Sequence, residues 1–408
     1  MREDRNIPKG WIVTTIGELV ELAQGVAINA KTNYVLSDKD NGIPLLKINN
    51  LLNNTIDQYA NPDLVPKQSI IHKNDVIFTR TGQVGEVLIN KYGILHNNSF
   101  KVIPNDKLYY SYLYWYLKSN KVYNYVQKVA GGSVQKDLNH SAFKTIEFKY
   151  PEDLKEQKAI ASILTSFDDK IELLQAQNET LETIAQTIFK EWFGKYQVGD
   201  ELPEGWREGK IGDFNAIVTD YVANGSFASL KENVTLYYDI PEYALFIRNT
   251  DLKSNFANKV YVDRHSYDFL SKTKLFGGEI IISNVGDVGS VYLCPFLDIP
   301  MTLGNNVVMI KSKFNYYLFS LFKSNIGEHL ISTITSGSAQ QKFNKTEFRN
   351  LDIIVPSNKV LLEFENTAES LYNKISCNNS HIQTLQATRD TLLPKLMSGK
   401  VRVDEFKE

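Results

Sequence analysis

The feature that most constrains this chain of 408 residues is an internal repeat with a period of about 200 residues. PKGWIVTTIG at 8–17 is matched by PEGWREGKIG at 203–212, and KNDVIFTRTGQVGEV at 73–87 is matched by GGEIIISNVGDVGSV at 277–291. The offset drifts only from 195 to about 205, so the chain is a tandem duplication with small loop insertions. A period of this length is that of a domain, which excludes a solenoid of short repeats.

Two further blocks carry the repeat to the end of each copy. YLYWYLKSN at 112–120 is matched by YLFSLFKSN at 317–325. GSVQKDLNHSAFKTIEFKYP at 132–151 is matched without a gap by GSAQQKFNKTEFRNLDIIVP at 337–356. Each copy therefore ends at a proline.

Local patterns within the first copy predict a mixture of strands and helices. β-branched and aromatic residues on both sides of the glycine turn in DVIFTRTGQVGEVLIN predict a hairpin. PLLKI at 44–48 and SFKVI at 99–103 predict further strands, and the alternation in 143–151 predicts a strand that ends at a proline. Residues 108–129 predict one helix. Each copy is expected to be an α+β domain.

A long helix with a 3.5-residue hydrophobic period follows each copy, which predicts a coiled coil between the two helices. The expected seam residues are Leu164, Phe167, Ile171, Leu174, Asn178, Leu181, Ile188, Leu371, Ile375, Asn378, Ile382, Leu385 and Leu392. Polar seam positions such as Asn178, Asn378 and Arg389 commonly fix register or partner at a cost in stability. The alternative is that they lie at a frayed edge.

Composition excludes several classes of protein. The chain is 43% hydrophobic and 23% charged, as is ordinary for a globular protein. Its apolar runs are too short to cross a bilayer and its first residues do not form a signal peptide, so we expect a cytoplasmic protein without a membrane partner. Only Cys294 and Cys377 are present, so neither a disulfide framework nor a metal site is expected.

Charge is segregated along the chain, although the net charge is only -2. Residues 41–149 contain 13 Lys and Arg against 7 Asp and Glu, whereas residues 151–193 contain 4 against 9. The basic excess indicates phosphate binding, and ordinary charge scatter is the alternative.

The sequence lacks the motifs of common catalytic sites. It contains no GxxxxGK[ST], GxSxG or HExxH motif and no NPPY or DPPY, and its six histidines are scattered singly. Asp137, Glu147 and Lys149 imitate the spacing of a metal-dependent nuclease. However, the alternation around Glu147 is that of a half-buried strand, and the second copy lacks the lysine. We therefore expect no catalysis by this chain.

The two glycine turns, TGQVGE at 81–86 and VGDVGS at 285–290, project backbone N–H groups toward which a phosphate or base edge could approach. Arg80 and Gln83 in the first turn are replaced by Asn284 and Asp287 in the second. Two related domains that bind different ligands would show this pattern. Neutral drift also predicts it, and tight turns need glycine whatever their function.

Together these features resemble the specificity subunit of type I restriction–modification systems, over nearly the whole chain. The residues that carry the resemblance are the P-x-G-W…I-G opening of each half, the glycine turns, the GS-x-Q block that runs to Pro151 and Glu156-Gln157, and the closing RDTLLPKLMSGKVRV. The second copy departs from the pattern, with Val360-Leu361 near the place of the Glu-Gln pair and SNVGDVG in place of the arginine version.

The resemblance implies a non-catalytic subunit that recognises double-stranded DNA. Each α+β domain would recognise one half of an asymmetric bipartite target. The helices would form an antiparallel coiled coil that spaces the domains and docks two modification subunits. S-adenosylmethionine would bind those partners, while restriction subunits would bring ATP and Mg²⁺, so this chain would carry no cofactor. The expected parts are a first recognition domain at 1–151, a first spacer helix at 152–194, a second recognition domain at 195–356, and a second spacer helix with a tail at 357–408.

Polar residues at strand ends, glycine turns and GS-x-Q loops are the predicted DNA contacts. They are Lys47, Arg80, Gln83, Lys101, Ser133, Gln135, Lys136, Arg248, Asn284, Ser338, Gln340 and Lys342. For any single residue the alternative is solvated surface charge. For the whole chain the alternatives are a two-domain coiled-coil adaptor that binds protein or glycan, and a stand-alone nuclease.

Overall fold

The protein was analysed as a computed structural model, which describes residues 7–132, 135–254, 256–337 and 340–403. It divides into two compact units. The first unit combines Met1–Glu172 with Ile382–Glu408, and the second is Leu173–His381. Each unit thus contains one copy of the repeat together with a segment of each long helix.

The body of the first unit consists of short strands and helices that precede the first long helix. Its strands are β1 (Trp11–Thr15), β2 (Val20–Gln24), β3 (Leu36–Ser37), β4 (Ile43–Leu46), β5 (Tyr59–Ala60), β6 (Ile70–Ile71), β7 (Val76–Thr79), β8 (Val87–Leu88), β9 (Gly93–Leu95), β10 (Ser99–Pro104) and β11 (Glu147–Pro151). Its helices are α1 (Ile48–Asn53), α2 (Tyr110–Leu117), α3 (Asn120–Val129) and α4 (His140–Lys144), and the long helix is α5 (Leu154–Phe193).

The second unit is built in the same way. Its strands are β12 (Arg207–Lys210), β13 (Ile217–Asp220), β14 (Leu236–Tyr238), β15 (Ala244–Ile247), β16 (Val260–Val262), β17 (Lys274–Leu275), β18 (Ile280–Ser283), β19 (Val291–Leu293), β20 (Met301–Leu303), β21 (Val307–Lys311) and β22 (Asp352–Val355). Its helices are α6 (Phe227–Asn233), α7 (Asn249–Lys253), α8 (Arg264–Phe269), α9 (Asn315–Lys323), α10 (Asn325–Ile334) and α11 (Lys345–Arg349), followed by the long α12 (Asn358–Ser398).

The two units share one sheet topology. In the first unit β1 pairs with β11, a four-stranded sheet has the order β2-β10-β7-β8, and a five-stranded sheet has the order β3-β5-β4-β9-β6. In the second unit the corresponding orders are β12-β22, β13-β21-β18-β19 and β14-β16-β15-β20-β17. Even the parallel pair recurs, as β4 with β9 and β15 with β20. The mixed strands and helices of both copies confirm the α+β class.

Equivalent positions also form the two main cores. Phe78 on β7 is fully buried, and its ring lies 5.6 Å from Phe100 and 4.9 Å from Phe143. In the second unit Ile282 and Phe348 are fully buried at the positions of Phe78 and Phe143. The repeat therefore preserves apolar character at the sites where the sheet packs on its helices.

The prediction of one helix over residues 108–129 is wrong, because the chain forms α2 and α3 there. Ser119 between them has an extended backbone (φ -67°, ψ 144°), and its hydroxyl donates to the Tyr116 carbonyl at 2.6 Å. This local bond competes with helix continuation. Ser324 separates α9 from α10 with the same hydroxyl bond, to the Leu321 carbonyl.

The strand predicted over residues 143–151 is correct only from Glu147 onward. Its first residues belong to α4, which begins after Asn139 because the Asn139 side chain accepts a hydrogen bond from the Ala142 N–H at 2.8 Å. Side-chain capping by Asn is a strong helix start, and it overrides the alternating pattern that suggested a strand.

Within each unit, a segment of α5 packs against an antiparallel segment of α12, as the predicted coiled coil requires. In the first unit Arg389 contacts Asp168, and Arg402 beyond α12 pairs with Glu156 at 2.9 Å. In the second unit Asn178 meets the neighbouring amides of α12. The Asn378 amide donates to Asn178 Oδ1 at 2.9 Å, and the Asn178 amide donates to Asn379 at 2.8 Å.

The predicted seam is buried or half-buried throughout. Buried members are Leu164, Ile171, Leu174, Ile375, Asn378 and Ile382, and half-buried members are Phe167, Asn178, Leu181, Ile188, Leu371, Leu385 and Leu392. Asn178, Asn378 and Arg389 each hydrogen-bond to the other long helix, so they do not lie at a frayed edge, although Asn378 Oδ1 is buried without a partner. Among the described residues, no helix is both long enough and apolar enough to cross a membrane.

Candidate nucleic-acid interface

Backbone hydrogen bonds join two loops of the first unit that lie about 50 residues apart in sequence. We call residues 80–86 the first glycine hairpin, and the described part of residues 131–138 the first GSxQ loop. The Gly82 N–H donates to the Lys136 carbonyl at 2.9 Å, and the Leu138 N–H donates to the Arg80 carbonyl at 2.9 Å. The predicted contacts in these loops therefore form one surface.

The second unit makes the same junction between residues 284–290, the second glycine hairpin, and the described part of residues 336–343, the second GSxQ loop. The Gly286 N–H donates to the Gln341 carbonyl at 3.0 Å, and the Phe343 N–H donates to the Asn284 carbonyl at 3.1 Å. The backbone of the candidate interface is thus repeated, although its side chains differ.

The glycines of the first hairpin are required by its backbone. Gly82 and Gly85 have φ values of 81° and 102°, which side chains rarely tolerate. The Thr79 hydroxyl shapes the turn from inside, because it donates to the Gln83 carbonyl at 2.5 Å and accepts from the Glu86 N–H at 2.9 Å. In the second hairpin Gly286 and Gly289 have φ values of 80° and 88°.

Arg80 at the base of the first hairpin forms an ion pair across the junction. Its Nη2 lies 2.7 Å from Oδ2 and 3.0 Å from Oδ1 of Asp137, and its Nε lies 3.2 Å from Oδ1. Its Nη1 donates to Gln24 Oε1 at 3.3 Å, and the Thr81 hydroxyl donates to Asp137 at 2.6 Å. Hydrogen bonds from Arg80, followed by one from Thr81, lower the pKa of Asp137, so its carboxylate stays ionised near neutral pH.

Two buried polar atoms lie on residues near Arg80. The Asn98 carbonyl accepts from the Arg80 N–H at 2.9 Å, whereas Asn98 Oδ1 and His140 Nε2 are buried atoms without a hydrogen bond. Burial, then the positive charges of Arg80 and Lys144, lower the pKa of His140. Unpaired buried polar atoms are costly, and they are common where a ligand or water completes a site.

Of the remaining predicted residues that the structure describes in the first unit, three lie on the hairpin and the GSxQ loop, and two lie elsewhere. Gln83, Gln135 and Lys136 are exposed on the hairpin and the GSxQ loop, and Lys136 Nζ donates to Gln127 at 2.8 Å. Lys47 begins α1 near His96, whose pKa is lowered mainly by burial and further by the Lys47 charge. By contrast, Lys101 pairs with Asp75 at 2.7 Å, and its other hydrogen bond goes to Ile70. The structure does not bring Lys101 to the hairpin.

The predicted residues of the second unit have different surroundings. Arg248 is held by Asp251, with Nη2 at 2.6 Å from Oδ1 and Nε at 2.9 Å from Oδ2. Gln340 and Lys342 are exposed, and the half-buried Asn284 donates from Nδ2 to the Phe343 carbonyl at 3.4 Å. Asn284 Oδ1 is buried without a partner. Ser133 and Ser338, also predicted contacts, lie outside the described residues.

Sequence reasoning missed the acidic members of both sites. The sequence pattern indicates Asp137 only as part of a nuclease imitation, and it does not indicate a role for Asp220. Strand register places Asp220 at the position of Gln24, and there it pairs with Lys345 at 3.0 Å. One feature of the sequence indicates that Arg80 and Asp137 pair, because both are replaced in the second copy, by Asn284 and Lys342.

The nuclease-like residues do not form a cluster. Asp137 is engaged by Arg80, Glu147 pairs with Lys121 at 2.7 Å, and Lys149 Nζ donates to the Ser398 carbonyl at 2.8 Å. Within the described ranges, no group of three or more His, Cys, Asp or Glu side chains is placed to hold a metal ion.

Comparisons with known proteins place the chain in one family. The family described as type I restriction modification DNA specificity domain matches residues 8–183 and again 203–364. The MjaIX specificity subunit of a type I restriction enzyme from Methanocaldococcus jannaschii is 28% identical, with 98% of this chain and 95% of that protein covered. The HindI specificity subunit from Haemophilus influenzae is 21% identical over 77% of this chain and 81% of that protein.

A solved structure shows the same fold. The S subunit of a type I restriction–modification system from M. genitalium superposes with a TM-score of 0.58 at 18% identity, and the match covers 97% of this chain and 98% of that one. Because the family matches both copies of the repeat and together most of the chain, the protein belongs to the type I restriction modification DNA specificity family.

Proposed function

We propose that this chain is the non-catalytic recognition subunit of a type I restriction–modification complex, and that its two domains bind two different DNA half-sites. The observation that carries the proposal is the repeated junction of glycine hairpin and GSxQ loop, which presents different side chains on the same backbone. Phosphate contacts position a protein on DNA and base contacts specify sequence, so different side chains imply different target letters.

Exposed cations at both junctions support DNA as the ligand. Lys136 and Lys342 occupy the two GSxQ loops, and the structure gives neither an ion pair with a described carboxylate. Unpaired lysines of this kind suit phosphate binding. The alternative, an adaptor for protein or glycan, has no support from the comparisons.

The proposal assigns the chemistry to partner subunits. Two modification subunits would bind S-adenosylmethionine and dock on α5 and α12, and restriction subunits would bring ATP and Mg²⁺. The tandem repeat supports two modification subunits, because a duplicated chain offers each docking surface twice. This chain would itself bind none of those cofactors.

The two long helices are proposed to set the gap between half-sites. α5 has 40 residues, which corresponds to about 60 Å of helix at ~1.5 Å per residue. Adding one heptad to each helix at matched levels, with Asn178 kept opposite Asn378, lengthens each helix by about 10 Å. The modified site should then gain a gap of about three base pairs at ~3.4 Å each, while its letters stay the same. An unchanged gap would reduce the helices to a docking role.

A gel shift of the chain mixed with its modification subunits tests the proposal as a whole. Specific DNA should compete better than random DNA, and binding should weaken steeply as salt rises from 50 to 200 mM because phosphate contacts release counterions. Binding that barely responds to salt, or that shows no preference among sequences, would overturn the proposal. Mg²⁺-dependent cleavage by this chain alone would instead support the nuclease alternative.

A further inference from the structure

The Arg80–Asp137 pair differs from an ordinary DNA-binding cation, because its charge is cancelled at the surface where DNA would lie. The guanidinium has five N–H donors, and the structure accounts for four hydrogen bonds, three to Asp137 and one to Gln24. Asp137 holds Nε and Nη2, whereas Nη1 has one bond to Gln24 for its two hydrogens and can donate another. The side chain of Arg80 is 24% exposed and that of Asp137 is 40% exposed, so the pair reaches solvent.

A neutral pair is poorly suited to phosphate binding. The ionised carboxylate of Asp137 repels a phosphate at the same distance at which Arg80 attracts one, so the pair adds little to general affinity. It is well suited to a base edge, because a fixed arginine donates to guanine O6 or N7, the commonest specific contact in the major groove. The bond from Nη1 to Gln24, at 3.3 Å, is the longest of the four and can be exchanged for a base acceptor.

We propose that Arg80 recognises a guanine in the first half-site and that Asp137 is a positioning residue that makes this contact selective. The inference rests on the proposed function. It concerns one half-site only, because the equivalent residues in the second unit are Asn284 and Lys342, which form no ion pair in the described structure.

The unpaired atoms around Arg80 support a ligand at this place. Asn98 Oδ1 and His140 Nε2 are buried without a hydrogen bond. The Asn98 backbone carbonyl accepts from the Arg80 N–H, and the Arg80 charge helps to lower the pKa of His140, so both residues lie near Arg80. Gln24 on β2, Arg80 after β7 and Asp137 in the GSxQ loop come from three separate segments. Their convergence fixes the guanidinium more tightly than a surface arginine of a single loop would be fixed.

The test uses the complete complex of specificity and modification subunits, with binding measured across a library of single-base variants of its target and on random DNA. Arg80→Ala should lose about 5- to 150-fold discrimination at one guanine of the first half-site, with other positions unchanged. Arg80→Lys should lose discrimination there while its charge is retained, which separates selectivity from loss of charge.

Asp137→Asn gives the sharper outcome. This substitution leaves the Arg80 charge unpaired, so binding to random DNA should strengthen. The salt slope, which is the slope of the logarithm of the binding constant against the logarithm of the salt concentration, should steepen by about 0.9. The preference for the guanine should fall. Asp106→Asn is the matched control, because it removes the same charge beyond the far end of β10 and should leave the preference unchanged. Asp106 is exposed in the loop after Pro104.

Different results would overturn the proposed function and the guanine assignment. A wild-type complex that prefers no sequence would overturn the proposed function. A wild-type complex that is selective, with Asp137→Asn leaving both the base preferences and the salt slope unchanged, would overturn the guanine assignment alone. Equal loss at every position in Arg80→Ala, with unfolding midpoints unchanged, would also overturn it by making Arg80 a phosphate contact.

Discussion

The two glycine hairpins share a backbone but distribute charge differently. In the first unit Arg80 of the hairpin pairs with Asp137. In the second, Asp287 of the hairpin pairs with Lys253 at 2.8 Å, Asp220 pairs with Lys345 at 3.0 Å, and Lys342 is exposed. The strand orders of the two units are the same. The fold therefore depends on buried apolar positions, glycines and backbone bonds. The charged side chains of the interface are free to differ because the fold does not need them.

The helix that follows each four-stranded sheet shows the same separation of backbone and side chain. The first turn of α2 is capped by the amide of Gln157, whose Oε1 accepts from the Tyr109 N–H at 2.8 Å. The first turn of α9 is capped by the carboxyl of Glu365, which accepts from the Tyr317 and Tyr316 N–H groups at 2.7 and 3.2 Å. One structural task is thus met by an amide in one unit and by a titratable group in the other.

The largest change should come from replacing the second recognition domain, residues 203–356, by a copy of residues 8–151. Because both domains have one topology, the hybrid should fold. Its half-sites should then carry the same letters, those of the first domain. Sequencing of modified DNA from cells with the complete system measures the result. A site that keeps its original second half would show that the domains do not determine the letters.

Core truncation tests whether equivalent positions matter equally. Phe78→Ala should destabilise the first unit by about 3–5 kcal/mol, because Phe78 is fully buried against two aromatic rings. Ile282→Ala at the equivalent position should cost about 2–5 kcal/mol in the second unit. Denaturant unfolding measures both. A large cost for only one of the two variants would mean that the positions are packed differently than the shared topology indicates.

The caps of α2 and α9 should respond differently to pH. Burial raises the pKa of Glu365 to about 7 from its usual 4.5, against the two backbone bonds that lower it. The folded unit therefore binds this proton more tightly than the unfolded chain does. The stabilisation is complete below about pH 4.5 and is lost as the pH rises through 7. At about 1.4 kcal/mol per pKa unit, it amounts to roughly 3 kcal/mol.

Glu365→Gln should remove that pH dependence from the second unit, since an amide can cap α9 as Gln157 caps α2. Hydrogen exchange of the Tyr317 amide in wild type should speed up between pH 4.5 and 7 by more than the intrinsic exchange rate does. The Tyr109 amide in the first unit is the internal control and should not show the extra change. If the pH dependence of Tyr317 amide exchange were the same in Glu365→Gln as in wild type, a group other than Glu365 would cause it.

The smallest effect is expected from the exposed lysines of the GSxQ loops. Lys136→Ala and Lys342→Ala should each weaken binding to all sequences alike and reduce the salt slope by about 1, as single phosphate contacts do. The measurement is a salt titration of the complex on specific and random DNA. A change confined to one base position would make that lysine a base contact. The lysine would then act as Arg80 is proposed to act, and not as a phosphate contact.

Much of this architecture could be predicted from the sequence because the sequence contains two copies of the same pattern. The repeat, the α+β class, the hairpin strands and the coiled-coil seam all rest on apolar periodicity and glycine positions, and the structure shows them. The helix over residues 108–129 was predicted too long because Ser119 breaks it by a hydroxyl bond that periodicity does not reveal. Asn139 similarly starts α4 inside a segment that alternates like a strand.

The candidate interface was less predictable. The sequence indicated that the glycine turn and the GS-x-Q block matter, but it could not show that backbone bonds join them. It also did not show that Arg80 and Lys101 pair with aspartates distant in sequence, and the nearby Asp251 was not connected with Arg248, so Arg80, Lys101 and Arg248 were predicted as similar DNA contacts. In the structure each has an aspartate partner, and only the pair of Arg80 lies at the junction of hairpin and GSxQ loop. Contacts between distant segments depend on tertiary folding, which local patterns do not encode.

The most direct test of the account is a map of modified bases in a genome that carries the complete restriction–modification system. Two domains with one backbone and different interface side chains should recognise an asymmetric bipartite site, with two blocks of specified letters separated by a fixed, unspecified gap. We expect the two blocks to differ, and the block assigned to the first domain to contain a guanine that Arg80→Ala no longer requires. A palindrome, or a single continuous block, would contradict the claim that each domain determines its own half-site.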